Sequence, residues 1–239
     1  MIKLAISGCR GRMGESITRL AFKDHEFVVT TLLEHKDHPQ IHEKINGLPI
    51  HTIPSALQGC DVLIEFTTPA ATIEHLQACL AHDLKMVIGT TGLEPQQIQQ
   101  IEKAAQKIPI VLASNMSVGV NLLFKLTGLA ATKTGPAYTV KMSEAHHMHK
   151  KDAPSGTAKT LATIVEQNSR HKVKDIESIR EGEIVGDHTV VFESAEDVLT
   201  ISHHAKSRDI FAKGALVAAQ FLMNKDKGLF TMQDVLGLH

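Results

Sequence analysis

A short apolar run, IKLAIS at Ile2–Ser7, ends directly on a glycine cluster, Gly8-Cys9-Arg10-Gly11-Arg12-Met13-Gly14. This junction constrains the fold more than any other feature of the chain. An apolar run of that length, bounded by glycine, predicts a buried parallel strand. Met13, Ile17, Leu20 and Ala21 then recur at helical spacing within residues 12–24. Phe27–Leu33 (FVVTTLL) is rich in β-branched residues and predicts a second strand. A β-α-β unit therefore occupies the first 34 residues.

The alternation continues. Strands are predicted at 61–66, 85–88 and 110–113, with helices at 69–82 and 94–107 between them. Short turns join them, so the expected class is α/β: an open, doubly wound parallel sheet with helices on both faces. The pattern changes near Met116. A helix over 118–132, a strand over 139–145, a helix over 155–167 and mostly strands and turns over 177–203 predict a second, mixed α/β domain. Residues 232–236 read as a short helix or a docked tail. The expected division is 1–117, 118–207 and a C-terminal segment, 208–239, that returns to the first domain.

The glycine turn predicts a dinucleotide site. A tight strand-to-helix turn brings backbone N–H groups and a helix N-terminus up to a diphosphate, and a Cβ there blocks the approach. The spacing is GxxGxxG, because Cys9 occupies the first glycine of the usual GxGxxG while Gly11 and Gly14 keep the last two positions. Glu34 ends the second strand, 20 residues after Gly14, where a carboxylate accepts hydrogen bonds from ribose hydroxyls. Lys36 beside it would tolerate a 2′-phosphate, so both NADH and NADPH are expected to bind. Phe66-Thr67-Thr68-Pro69, Gly89-Thr90-Thr91-Gly92 and Ala113-Ser114-Asn115-Met116 follow predicted strands at the same sheet edge. Each is either a ligand-lining loop or a plain turn.

The most unusual stretch is Glu144-Ala145-His146-His147-Met148-His149-Lys150-Lys151-Asp152-Ala153-Pro154-Ser155-Gly156-Thr157. Pro154 is expected in the first turn of a helix, where Ser155, Gly156 and Thr157 offer donors to a carboxylate. Histidine and lysine add cationic donors and a proton source. A solvated basic loop is the plain alternative. Zinc is a weaker one, because no cysteine or further ligand follows at metal spacing, and no metal is expected. A serine-hydrolase reading fails, since residues 115–119 (NMSVG) lack the first glycine of a nucleophile elbow.

Composition excludes several classes. Lys+Arg is 25 against Asp+Glu 26, which draws the chain neither to nucleic acid nor to an anionic membrane. Aromatic residues are 4%, with no tryptophan, which weakens any case for base stacking. No apolar run approaches the roughly 18 residues of a membrane span. No secretory signal pattern opens the chain. Cys9, Cys60 and Cys79 form no CxxC pair, and a reducing, cytoplasmic setting is expected.

With these motifs in order, the chain resembles the dihydrodipicolinate reductase family over essentially its whole length. The resemblance rests on Gly8–Gly14, residues 66–69, 89–92, 114–121 (SNMSVGVN) and 144–158, on Arg180-Glu181-Gly182 with residues 184–190, on Ser207-Arg208 with Phe211-Ala212, and on the tail 232–236. It implies a Rossmann-like cofactor domain, a substrate and assembly domain, a homotetramer and a small dicarboxylate substrate in lysine and diaminopimelate biosynthesis. It implies that His146 is the catalytic acid/base, Lys150 the proton donor and His147 a substrate ligand. Gly156 and Thr157 would hold a substrate carboxylate. Cofactor contacts would come from Gly8, Cys9, Arg10, Gly11, Arg12, Met13, Glu34, Gly89, Thr90, Thr91, Ala113, Ser114, Asn115 and Met116. Cys9, Met148 and a short stretch over 167–178 depart from many relatives. Two rivals stay open from the residues alone: another two-domain nicotinamide-dependent dehydrogenase, and a non-catalytic dinucleotide sensor.

Overall fold

A computed structural model describes residues 1–173 and 175–238. Lys174, inside the short 167–178 stretch, and His239, at the end of the expected C-terminal segment, lie outside the described residues. The chain forms two compact units, Met1–Met116 with Asp209–Gly237, and Ser117–Arg208.

The first unit runs β1 (Ile2–Ser7), α1 (Arg12–Ala21), β2 (Phe27–Leu33), β3 (Lys44–Ile45), β4 (Leu48–His51), β5 (Val62–Glu65), α2 (Pro69–Ala81), β6 (Lys85–Ile88), α3 (Pro95–Ala104) and β7 (Pro109–Leu112). The second runs α4 (Val118–Lys133), β8 (Thr139–His146), α5 (Gly156–Asn168), β9 (Ile176–Arg180), β10 (Asp187–Glu193) and β11 (Val198–His204). The chain then supplies α6 (Asp209–Leu222), β12 (Gly228–Phe230) and α7 (Met232–Val235) to the first unit.

The first unit's sheet has the order β12-β7-β6-β5-β1-β2-β4-β3, parallel except where β3 meets β4. Alternation along each central strand sorts its side chains onto two cores. Leu4, Ile6, Val62, Ile64, Val87 and Val111 face α1 and α6. Ala5, Leu63, Met86, Ile88 and Ile110 face α2 and α3. Fully burying each large aliphatic side chain contributes about 1.5–3 kcal/mol, and both faces are covered, as a parallel sheet of near-continuous apolar strands requires. The expected doubly wound α/β class is what forms.

The second unit has a four-stranded sheet, β11-β10-β8-β9. Its β8–β10 and β10–β11 pairs are antiparallel and its β8–β9 pair is parallel. Helices α4 and α5 pack with it around Phe192, Val190, Leu161 and Val165. No helix among the described residues is long and apolar enough to cross a membrane.

Four elements, β3, β4, α6 and β12, are not among those the sequence predicts. The β3–β4 hairpin turns on Asn46 (φ 50°) and Gly47 (φ 83°), both left-handed, which is the backbone of a two-residue hairpin. The Asn-Gly pair was the available signal. Helix α6 buries Ala212, Gly214, Ala215, Leu216, Ala218, Ala219 and Leu222, so little amphipathic period shows. β12 is only three residues long. One expectation is corrected: Pro154 is not in the first turn of α5. Ser155 is the N-cap, and Pro154 precedes it through a cis peptide bond to Ala153.

Candidate active site

In the first unit, the strand-to-helix turn is built as a cradle. Gly8 has φ +69°, a conformation that L side chains rarely adopt. A Cβ on Gly14 would stand 1.9 Å from the Gly8 carbonyl oxygen. Three N–H groups are engaged within the turn: Cys9 donates to the Leu33 carbonyl (3.1 Å), Gly11 to Gly8 (2.9 Å), and Arg10 to Glu34 Oε2 (2.9 Å). Gly11 caps α1 without a side-chain bond, which leaves the first-turn N–H groups of Arg12, Met13 and Gly14 without a partner inside the helix. Glu34 also accepts the His35 N–H (2.9 Å), which fixes its carboxylate at the end of β2. The Arg10 guanidinium pairs with Glu43 at 2.7 Å. A cavity of about 600 Å³ opens here, lined by Gly8, Gly11, Glu34, Lys36, Thr67 and Thr68 among others.

The neighbouring loops are tied together beneath that cavity. Thr90 is 5% exposed, and its hydroxyl accepts the Thr67 N–H (3.1 Å) and the Thr72 hydroxyl (2.9 Å). Thr91 is exposed, Ser114 is exposed and Met116 is buried. Fully buried Glu65 accepts from Thr67 Oγ1 and pairs with His75 Nδ1 at 2.6 Å. Burial pushes the His75 pKa down, but the Glu65 hydrogen bond and the charges of Glu65 and Glu74 together outweigh it and raise the net value. Burial, then the Glu34 charge, pushes the Cys9 thiol up to about 12, so it stays protonated.

In the second unit, His146 ends β8 and Glu144 lies two residues before it, on the same face of the strand. His146 Nδ1 hydrogen-bonds Glu144 Oε2. Glu144 also accepts Arg180 Nη1 (3.0 Å), Arg180 Nη2 (2.7 Å) and the Ser155 N–H (3.2 Å). Burial raises the Glu144 pKa, but the Arg180 and His146 hydrogen bonds win and hold it at about 2. The His188 ring meets His146 edge-on at 5.2 Å, and its Nε2 bonds Ser155 Oγ at 3.1 Å. Burial, helped by the His146 charge, pushes His188 down to about 4.

The loop after β8 carries the other candidates. Glu181 N–H donates to the His146 carbonyl (2.9 Å), Met148 N–H to Gly182 (3.2 Å) and Lys150 N–H to His147 (3.1 Å), which closes a turn that half-buries His147. Lys150 Nζ pairs with Asp152 at 2.8 Å. Ser155 Oγ accepts the Ala158 N–H (3.2 Å) and caps α5. Exposed Gly156 has nothing within 4 Å of its would-be Cβ, and half-buried Thr157 follows it. Glu144 thus ties His146 to the start of α5, where Gly156 and Thr157 lie, and His147 and Lys150 sit in the loop between β8 and α5. Glu144, Arg180 and His188 were not picked out as site residues from the sequence. Strand alternation could have flagged Glu144.

Glu144, His146 and His188 offer ligand atoms within 4.8 Å of one another. A guanidinium already forks onto both Glu144 oxygens, and that positive charge opposes a cation. The group is an ion-pair network by its chemistry.

The comparisons with known proteins agree with this architecture. Residues 2–116 match the family described as dihydrodipicolinate reductase, N-terminus, and residues 119–236 match dihydrodipicolinate reductase, C-terminus. The chain is 41% identical to a 4-hydroxy-tetrahydrodipicolinate reductase of Nitrosomonas europaea, covering 99% of this chain and 98% of that one. It is 38% identical to the enzyme of the same name from Syntrophotalea carbinolica, covering 100% of both. A solved dipicolinate-bound dihydrodipicolinate reductase from Paenisporosarcina sp. TG-14 superposes with a TM-score of 0.85 at 26% identity, covering 98% of each chain. With both halves matched and full-length relatives near 40% identity, the chain belongs to the dihydrodipicolinate reductase family.

Proposed function

We propose that the chain reduces 4-hydroxy-tetrahydrodipicolinate to tetrahydrodipicolinate with NADH or NADPH, in lysine and diaminopimelate biosynthesis, and that His146 and Lys150 handle the proton. The observation that carries the residue roles is the buried His146, held by an ionised carboxylate beside the start of α5. The family and its named relatives support the reaction.

Replacing a ring hydroxyl by hydrogen takes in one hydride and one proton and releases one water, so the protein must deliver a proton in each turnover. The cofactor, when bound, supplies the hydride. The cradle residues fit such a group: the first turn of α1 would face its diphosphate, and Glu34 would accept from its adenosine ribose. Ala113–Met116 and Gly89–Thr91 would line the nicotinamide end. In the second unit, Gly156 and Thr157 would receive one substrate carboxylate at the start of α5, an interaction worth roughly 0.3–2 kcal/mol. His147 would contact the substrate. The Lys150 ammonium, oriented by Asp152, would give the proton, and neutral His146 would relay it. Burial lowers the His146 pKa and outweighs the Glu144 bond, so a neutral resting ring is expected near pH 7.

A homotetramer is supported by an apolar row exposed on α4: Val118, Leu122, Leu126 and Leu129. A cytoplasmic setting is supported by three free cysteines, two of them buried.

Both cofactors are expected to bind. Glu34 favours a free 2′-hydroxyl, whereas exposed Lys36 on the same cavity offers a cation to a 2′-phosphate. Titration of each reduced cofactor into the protein checks this, and no detectable NADPH binding would contradict it.

A further inference from the structure

Glu144 is fully buried, yet it carries four hydrogen bonds from three directions. We propose that Glu144, braced by Arg180, is a positioning residue that keeps a proton on Nδ1 of His146, presents Nε2 for proton exchange, and ties that ring to the start of α5. The inference rests on the functional reading above and deepens it by naming the working nitrogen and what selects it.

The geometry gives the tautomer. A carboxylate gripped by a forked guanidinium remains ionised, and an ionised carboxylate only accepts. The ring nitrogen bonded to it must therefore be the donor, and in a neutral imidazole the other nitrogen is then the acceptor. Sheet register assembles the set from three strands. His146 pairs with Arg180 on β9, and Glu144 pairs with His188 on β10. The space beside Nε2 is kept by Gly186, whose would-be Cβ would stand 3.1 Å from that atom.

The charged and titratable groups around His146 among the described residues include Glu144 on β8, Arg180 on β9, His188 on β10 and Lys150 in the loop, with His147 next to His146 in the chain and Glu181 bonded to the His146 carbonyl. Burial opposes its protonation, as do Lys150 and Arg180, and Glu144 alone favours it. His188, pushed down to about 4, is neutral near pH 7. Removing the Glu144 charge must therefore move the His146 titration to lower pH, not higher. The same carboxylate accepts the Ser155 N–H. A change at Glu144 thus reaches both the ring and the turn that would hold a substrate carboxylate.

The test compares wild type, Glu144→Gln and Glu144→Gln/Arg180→Met by nitrogen-15 NMR of the imidazoles, with His146 assigned from the spectrum of His146→Gln. The same proteins are assayed for kcat, KM and NADH affinity. In the expected result, wild-type His146 is the Nδ1–H tautomer. Both variants lose that preference and titrate at lower pH, and kcat falls at least about tenfold while NADH affinity holds. The double variant removes both charges and so separates positioning from an unpaired buried arginine. An Nε2–H tautomer in wild type overturns the inference, as does a Glu144→Gln protein with unchanged tautomer and kcat. A wild type that reduces no substrate would sink the functional reading, while the tautomer comparison would still decide the role of Glu144.

Discussion

His146→Gln and Lys150→Ala should each lower turnover at least tenfold, and roughly 10²–10⁴-fold if proton delivery limits the rate, with NADH affinity nearly unchanged. Glutamine matches part of the imidazole's shape and still offers Glu144 a hydrogen-bond donor, but its amide neither takes up nor releases a proton near neutral pH. Lys150→Ala removes the ammonium and its 2.8 Å partner contact with Asp152. Asp152 is half exposed, with 54% of its side chain accessible, so this pair contributes little to stability. A loss of activity would then report chemistry rather than unfolding. The glycine cradle lies in the other unit, which is why cofactor affinity should hold. Steady-state kinetics with cofactor titrations check both variants, and near-normal turnover in both would remove these residues from the proton step.

Gly14→Ala should cripple the cofactor site. The added Cβ would meet the Gly8 carbonyl oxygen at 1.9 Å, the Gly8 carbonyl carbon at 2.6 Å and Cys9 Cα at 2.8 Å. All three are backbone atoms, so no flexible side chain can yield. The turn or α1 must move, and the N–H groups of Arg12 and Met13 move with it. Overpacking of this kind costs about 1–3 kcal/mol and occasionally more. For a chain of this size each kcal/mol lowers Tm by roughly 2–4 °C. The expected result is NADH affinity weakened at least tenfold and a Tm several degrees lower. Gly135→Ala is the control, since nothing lies within 4 Å of its would-be Cβ. Wild-type affinity and Tm in Gly14→Ala would show that the cradle is not built as described.

Much of this molecule is legible in the sequence because its signals are local. The run from Ile2 to Gly14 encodes a strand, a turn and a helix start within one window, and the structure places all three there. The strand at Lys85–Ile88 follows from apolar residues that both sheet faces bury, and the one at Phe27–Leu33 from a β-branched run in which Val28 and Thr30 stay exposed. The basic stretch before α5 was visible from its histidines, but what organises it was not. Arg180 reaches Glu144 from 36 residues away in sequence, through a parallel β8–β9 pairing that no short window reports. Helix α6 escaped notice for the opposite reason: its small apolar residues are buried on most sides. The β3–β4 hairpin was readable from Asn46-Gly47, and β12 was too short to stand out.

A reductase reaction at a site formed by this chain consumes reduced cofactor only when substrate is present. The most direct test supplies NADH, or NADPH, and the condensation product of pyruvate and aspartate semialdehyde to the purified protein and follows loss of the reduced cofactor. Rapid oxidation that needs both the protein and the condensation product is the expected result. Intact cofactor binding with no oxidation would contradict it, and would shift weight to another substrate or to a dinucleotide sensor built on the same cradle.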